Sequence, residues 1–250
     1  MVIARRVAIL GATKGMGRAL ARACAARNEQ LCLLGRDLAE LARSVSDLQA
    51  RGATAAAFAY CDLADPATFA GALEAAVARL GGLDVIIVTA AAFATQAQLD
   101  ADPARVKALL TVDFTKTVLF CEAARRILLS SGSANPTLCV FSSVAGERGR
   151  KPVILYGAAK AGLTRYLEAI DHAFHADGLR VVCVKPGFVR TSMTEGLPVP
   201  PFAGDPDAVA TRVLTAIDRG TPVVYAPSIW AVIMAVIRLL PRSVMRRIDF

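Results

Sequence analysis

The sequence predicts an α/β fold, a doubly wound parallel sheet flanked by helices, and three observations carry that expectation. Short, almost wholly apolar runs recur along the chain, as strands covered on both faces require. Longer helical patterns separate them, the alternation from which parallel sheets are wound. A glycine-rich turn follows the first run, where such sheets open a ligand crevice beyond the carboxyl ends of their strands.

In order, the strand candidates are VAIL (7–10), LCLLG (31–35), ATAAAFAY (53–60), DVIIV (84–88), TLCVFS (137–142) and RVVCVK (180–185). Helical patterns fill 15–28, 37–51, 66–80, 104–129 and 156–176, with Gly81-Gly82 and Gly178 placed as C-terminal caps. A chain of 250 residues without a low-complexity linker or internal repeat is read most economically as one domain, 1–250.

Composition narrows the classes. A hydrophobic share of 55% excludes disorder. None of the six cysteines sits in a C-x-x-C pair and most lie in apolar stretches, which fits buried thiols in a reducing compartment rather than disulfides or zinc. His172 and His175 stand near the end of a helical pattern without a third ligand, so no metal is expected. The apolar run before Gly11 is too short for a signal-peptide core, which points to the cytoplasm. A net charge of +8 raises the question of nucleic acid, but no base-stacking or helix-turn-helix motif accompanies it.

The turn after the first strand reads GATKGMG, comprising Gly11, Thr13, Lys14, Gly15, Met16 and Gly17. Residues without a side chain let backbone approach a pyrophosphate at a helix N-terminus. Downstream, Tyr156 and Lys160 in YGAAK are spaced i and i+4, on one helix face, and follow Ser143 in SSVAG. A neighbouring ammonium favours phenolate and so brings a tyrosine, ordinarily titrating near pH 10, closer to the range where it can trade a proton.

These motifs, over nearly the whole chain, resemble the short-chain dehydrogenase/reductase family, whose Rossmann-type sheet holds a nicotinamide dinucleotide. The resemblance implies that Tyr156 is general acid in reduction, that Lys160 tunes it and binds ribose, and that Ser143, with Ser142 as the alternative, bonds the substrate carbonyl. It places Gly11, Thr13, Lys14, Gly15, Met16 and Gly17 on the cofactor, with Arg36 by the adenosine ribose, Asp62 and Leu63 by the adenine and Ala90 after the fourth strand. Tyr156, Lys160, Pro186, Gly187, Val189 and Thr191 fall at the nicotinamide end. Lys14 and Arg36 suit a 2′-phosphate and favour NADP(H) over NAD(H). Asp37 is the competing signal, and one residue past Arg36 it is read as opening the next helix.

Two departures stand out. The family's Asn-Asn-Ala-Gly becomes Val88, Thr89, Ala90 and Ala91, and its catalytic Asn aligns with Asp113. The segment 188–205, rich in Pro and Gly, reads as a substrate lid. The tail, about 227–250, joins an unbroken apolar run from Ile229 to Ile237 to Arg238, Arg242, Arg246 and Arg247. It is too short to span a bilayer, which takes roughly 20 apolar residues. Either it is a core or interface helix, or an apolar wedge with a basic rim lying against a membrane surface.

Within the family, SSVAGERGRK…YGAAKAGL and the tail look like the reductases that work beside decaprenylphosphoryl-ribose oxidases on a polyprenyl-phosphate-linked keto-pentose. That resemblance implies a lipid-linked ketone substrate and a partner oxidase, and the family's long helices imply a homo-oligomer through 104–129 and 156–176. The alternatives are a reductase of a 3-oxoacyl thioester or other apolar ketone, and a non-catalytic dinucleotide sensor. The intact tyrosine–lysine pair ranks the sensor last.

Overall fold

Apolar runs with no polar alternation must be buried on both faces, and here they form the middle layer of a sandwich. The computed structural model describes residues 4–248. Strands β1 (Arg6–Leu10), β2 (Gln30–Gly35), β3 (Ala55–Tyr60), β4 (Val85–Val88), β5 (Thr137–Phe141), β6 (Arg180–Pro186) and β7 (Val223–Ala226) form a parallel sheet in the order β3-β2-β1-β4-β5-β6-β7. Its two faces are covered by separate apolar clusters, one around Ile9, Leu33 and Val184, the other around Leu10, Phe120 and Leu163. The chain reverses direction across the sheet between β1 and β4, and the crevice of such a fold opens there.

The helices begin and end where local chemistry directs. Those in the first half are α1 (Gly15–Ala25), α2 (Leu38–Ala50), α3 (Phe69–Leu80), α4 (Gln96–Asp100), α5 (Pro103–Leu110) and α6 (Thr117–Ser130). They are followed by α7 (Ile154–Phe174), α8 (Pro206–Arg219), α9 (Ile229–Leu239) and α10 (Arg242–Met245). Asp37, Asp102 and Asp205 accept from the first free amides of α2, α5 and α8. Gly81 and Gly220, in the left-handed region at φ 71° and 64°, end α3 and α8.

Two expectations need correction, and two features are not anticipated by the sequence. The pattern over 104–129 is not one α-helix: α5 and α6 are joined by a wider π-helical stretch at Thr111–Lys116. Gly178 does not cap α7, which ends at Phe174; it closes the following turn at φ 88°. The region after 188 contains a further helix and strand, α8 and β7, because Pro206–Arg219 buries an apolar face on α1. The segment 188–205 is pinned at its base, where Gly204 donates to the Phe188 carbonyl at 2.8 Å and accepts from Arg190 at 3.0 Å.

Candidate active site

The glycine loop folds as its sequence demands. A Cβ on Gly17 would stand 2.2 Å from the Gly11 carbonyl and 2.5 Å from Thr89 Oγ1, and one on Gly11 would meet the Ala90 amide at 2.7 Å. These glycines let the loop close against the end of β4, where the Thr89 hydroxyl donates to the Leu10 and Gly11 carbonyls at 3.0 and 3.1 Å. Thr89, where the family pattern has Asn, and Ala90, which matches it, are both small enough for that approach. Gly15, at φ 50°, faces Thr191 from the loop after β6, 3.3 Å from where its Cβ would stand.

Between these elements runs a groove of about 760 Å³. Its walls include Gly11, Thr13, Lys14, Gly15, Met16 and Gly17, then Arg36, Asp62 and Leu63, then Ala90 and Thr191. Asp62 accepts from the Ala64 amide at 2.9 Å, which holds the turn after β3. The groove fits an elongated dinucleotide: a side-chain-free cradle at a helix start, with cations at one end.

Electrostatics at the β2 end follow from who is already paired. Asp37 accepts from the Glu40 amide at 3.0 Å as the α2 cap. Glu40 is held by Arg18 at 2.6 Å and by Arg43 at 2.6 Å. Lys14 and Arg36 are both exposed at the groove and neither makes an ion pair among the described residues. This end of the groove thus presents two cations without an ion pair, Lys14 and Arg36, beside the capping carboxylate of Asp37.

Beyond the groove lies the Ser–Tyr–Lys cluster. Tyr156 and Lys160 share a face of α7, with the Lys160 ammonium 5.6 Å from the Tyr156 ring centre. Ser143 faces the tyrosine and acts to lower its pKa. The Ser143 Oγ accepts from the Ala145 amide at 3.0 Å and lies 3.5 Å from the Pro186 carbonyl. Ser142, the alternative, points away: its hydroxyl donates to the Lys160 carbonyl at 3.0 Å and meets Thr164 at 2.6 Å, fastening β5 to α7.

Asp113 joins this cluster from the π-helical stretch. It is wholly buried, accepts from the Ala92 amide at 2.6 Å through Oδ1, and sets Oδ2 3.7 Å from Lys160 Nζ. Lys160 also donates to the Phe141 carbonyl at 3.3 Å. Burial pushes the Asp113 carboxyl up and the Lys160 ammonium down, each opposed by the other's charge. Burial and the Asp113 charge push the Tyr156 phenol up, with Ser143 acting the other way. The sequence leads one to expect Lys160 to lower the tyrosine. In the protein alone its charge is matched by Asp113, and desolvation prevails.

Of the expected cofactor contacts, five are not on the groove wall: Tyr156 and Lys160 stand in the cluster beyond it, and three others lie elsewhere. Val189 is buried in the cluster beneath the sheet. Pro186 ends β6 and offers its carbonyl to Ser143. Gly187 lies against Trp230 of α9, whose indole atoms would be 2.0 to 2.4 Å from a Cβ there. Phe93 is a residue that motif reading passes over. It lines the groove and packs edge-on against Tyr156, ring centres 5.3 Å apart, so it links the two halves of the site. Glu147 is another: buried, it pairs with Lys185 of β6 and with Arg238 of α9 at 3.3 Å. Only its place after SSVAG hints at this.

Comparison with known proteins agrees with this geometry. The family model for short chain dehydrogenases matches residues 5–199. The chain is 33% identical over 243 residues to an uncharacterized oxidoreductase of Mycobacterium tuberculosis, covering 96% of each. It is 32% identical over 197 residues to the cis-4-hydroxycyclohexanecarboxylate dehydrogenase of Sinomonas cyclohexanicum, 78% of each. Among solved structures, a short-chain type dehydrogenase/reductase from Mycobacterium marinum superposes with a TM-score of 0.80 at 24% identity, over 90% of this chain and 95% of that one. With glycine loop, parallel sheet and Ser–Tyr–Lys cluster in their places, the chain belongs to the short-chain dehydrogenase/reductase family of oxidoreductases.

Proposed function

We propose that the chain is an NADP(H)-dependent reductase that turns a ketone into a secondary alcohol, with Tyr156 as proton donor. The observation that carries this is one continuous path: unpaired Lys14 and Arg36 at one end, Ser143, Tyr156 and Lys160 at the other, joined by Phe93. Bound along the groove, the dinucleotide would supply the hydride. Lys14 and Arg36 would hold its 2′-phosphate, Gly11 to Gly17 its pyrophosphate, and Asp62 and Leu63 its adenine.

The chain's own residues handle the proton. The Ser143 hydroxyl orients the carbonyl oxygen and stabilises the charge that develops on it. Tyr156, held protonated by burial and by Asp113, delivers its proton to that oxygen. Lys160 balances the phenolate left behind, and Asp113 and the Phe141 carbonyl hold its ammonium in place.

For the substrate we favour a ketone carrying an anionic group and an apolar chain, such as a polyprenyl-phosphate-linked keto-pentose. Support comes from α9 and α10, apolar and basic, directly behind Val144 and Gly187. A second reading, an anionic ring ketone, is favoured by the name of the Sinomonas relative.

The test is consumption of NADPH with three ketones: a polyprenyl-phosphate-linked keto-pentose, a 3-oxoacyl thioester and 4-oxocyclohexanecarboxylate. Turnover with one of them, reduced about a hundred- to ten-thousand-fold by Tyr156→Phe, supports the reading. Tyr156→Phe turning over at the wild-type rate would overturn it.

A further inference from the structure

The tail poses a physical problem that the catalytic site does not resolve. Helix α9 is packed on one side: Trp230, Met234 and Ile237 are buried against Val144, next to Ser143. Its other side repeats apolar residues at helical spacing, and these are exposed: Ile229, Val232, Val236 and Leu239, the last at 84%. A helix apolar all round is ordinarily covered all round. No helix of the described residues is long and apolar enough to cross a membrane.

The surroundings of this stripe indicate what covers it. From Pro227 to Ile248 the sequence has no Asp or Glu. Arg242, Arg246 and Arg247 follow the stripe, all exposed and without an ion pair among the described residues. Arg148 donates to the Leu240 carbonyl at 2.7 Å, and together with Arg242, Arg246, Ile154, Met245 and Ile248 it lines a cleft of about 540 Å³. The nearby carboxylate, Glu147, is buried and already paired with Lys185 and Arg238. A second copy of the chain is a poor cover. A two-fold contact sets a patch against itself, so these arginines would face arginines with no carboxylate from the described residues 227–248 between them.

We propose that the outer face of α9, with the arginines of α10, is a docking surface for an anionic lipid bilayer. The helix lies in the interface plane, burying Ile229, Val232, Val236 and Leu239 among the acyl chains, while Arg242, Arg246 and Arg247 meet lipid phosphates. Because Val144 and Gly187 pack directly beneath α9, docking holds the Ser143–Tyr156 opening close to the membrane surface. This goes beyond the reductase reading and is tested without substrate, so either can fail alone.

The experiment is flotation of the full chain with vesicles of phosphatidylcholine alone or phosphatidylcholine with phosphatidylglycerol. Wild type is expected to float with the anionic vesicles, and to be released as salt rises. Arg242→Gln/Arg246→Gln/Arg247→Gln should weaken binding about a hundredfold, roughly fivefold per arginine. Val232→Ser/Val236→Ser/Leu239→Ser should weaken it more than about tenfold, with NADPH binding unchanged as the check on folding. No flotation of wild type overturns the proposal. So does undiminished flotation of the serine variant, which would mean adsorption by charge alone. A wild-type dimer that the serine variant dissociates, with flotation unaltered, would make a second copy the cover.

Discussion

Asp113 and Lys160 face each other at 3.7 Å with neither side chain reaching solvent, and Tyr156 lies within the field of both. A buried ammonium alone would draw the phenol toward phenolate. With a carboxylate opposite it that pull is cancelled, and the phenol is held up by burial.

Asp113→Asn removes the negative charge and keeps an oxygen for the Ala92 amide. Lys160 is then uncompensated, so the Tyr156 pKa falls. Alcohol oxidation needs the phenolate and rises as pH passes that pKa, so its rising limb should move to lower pH. Ketone reduction needs the phenol, and its falling limb should move the same way. A pH–rate profile in both directions checks this; an unmoved profile would show that the carboxylate does not act on Tyr156.

Lys14 and Arg36 stand unpaired because Asp37 is occupied as a helix cap and Glu40 by two arginines. Arg36→Asp should weaken NADPH binding by about tenfold or more and leave NADH no worse bound, since exposed charge-assisted contacts to phosphate are worth about a factor of ten each. Titration with both nucleotides, followed by Trp230 fluorescence, decides it. Equal loss for both would place Arg36 away from the 2′-phosphate.

Glycines in this chain fall into two physical kinds. Gly17→Ala drives a methyl to 2.2 Å from the Gly11 carbonyl and should cost about 1–3 kcal/mol, together with nucleotide binding. Gly71→Ala, inside α3 with nothing near its Cβ, should instead raise stability by about 0.5–1 kcal/mol. Thermal unfolding of the two variants tests the contrast.

All six cysteines are buried free thiols. Burial pushes Cys32, Cys61 and Cys183 up to about 11, and Cys24, Cys121 and Cys139 upward as well. The thiolate is the reactive form, so alkylation near neutral pH should label none of them in the folded protein and all of them after denaturation. Mass spectrometry counts the adducts, and rapid labelling of one site would reveal local opening there.

The strands from β1 to β6, the glycine loop, the Ser143–Tyr156–Lys160 cluster and Asp37 as a helix cap were legible in the sequence. Each rests on a local cause: apolar runs, residues without side chains, i to i+4 spacing, a side chain reaching an amide three residues on. Strand β7 is only four residues long and runs almost directly into the apolar tail, so the sequence pattern merges the two. What pairs with what across the chain was decided only by the folded structure. Ser142 is taken up by α7 and Ser143 released to Tyr156, Phe93 joins groove to catalytic cluster, Asp113 cancels Lys160, and Trp230 lies on Gly187. The tail followed the same division. Its composition announced an apolar, basic segment, but which residues of α9 face inward depends on how the helix settles on Val144, a contact between parts of the chain far apart in sequence. Local patterns fix conformation because they act within a turn or two of backbone; the strength and direction of a buried charge depend on every group brought around it by packing.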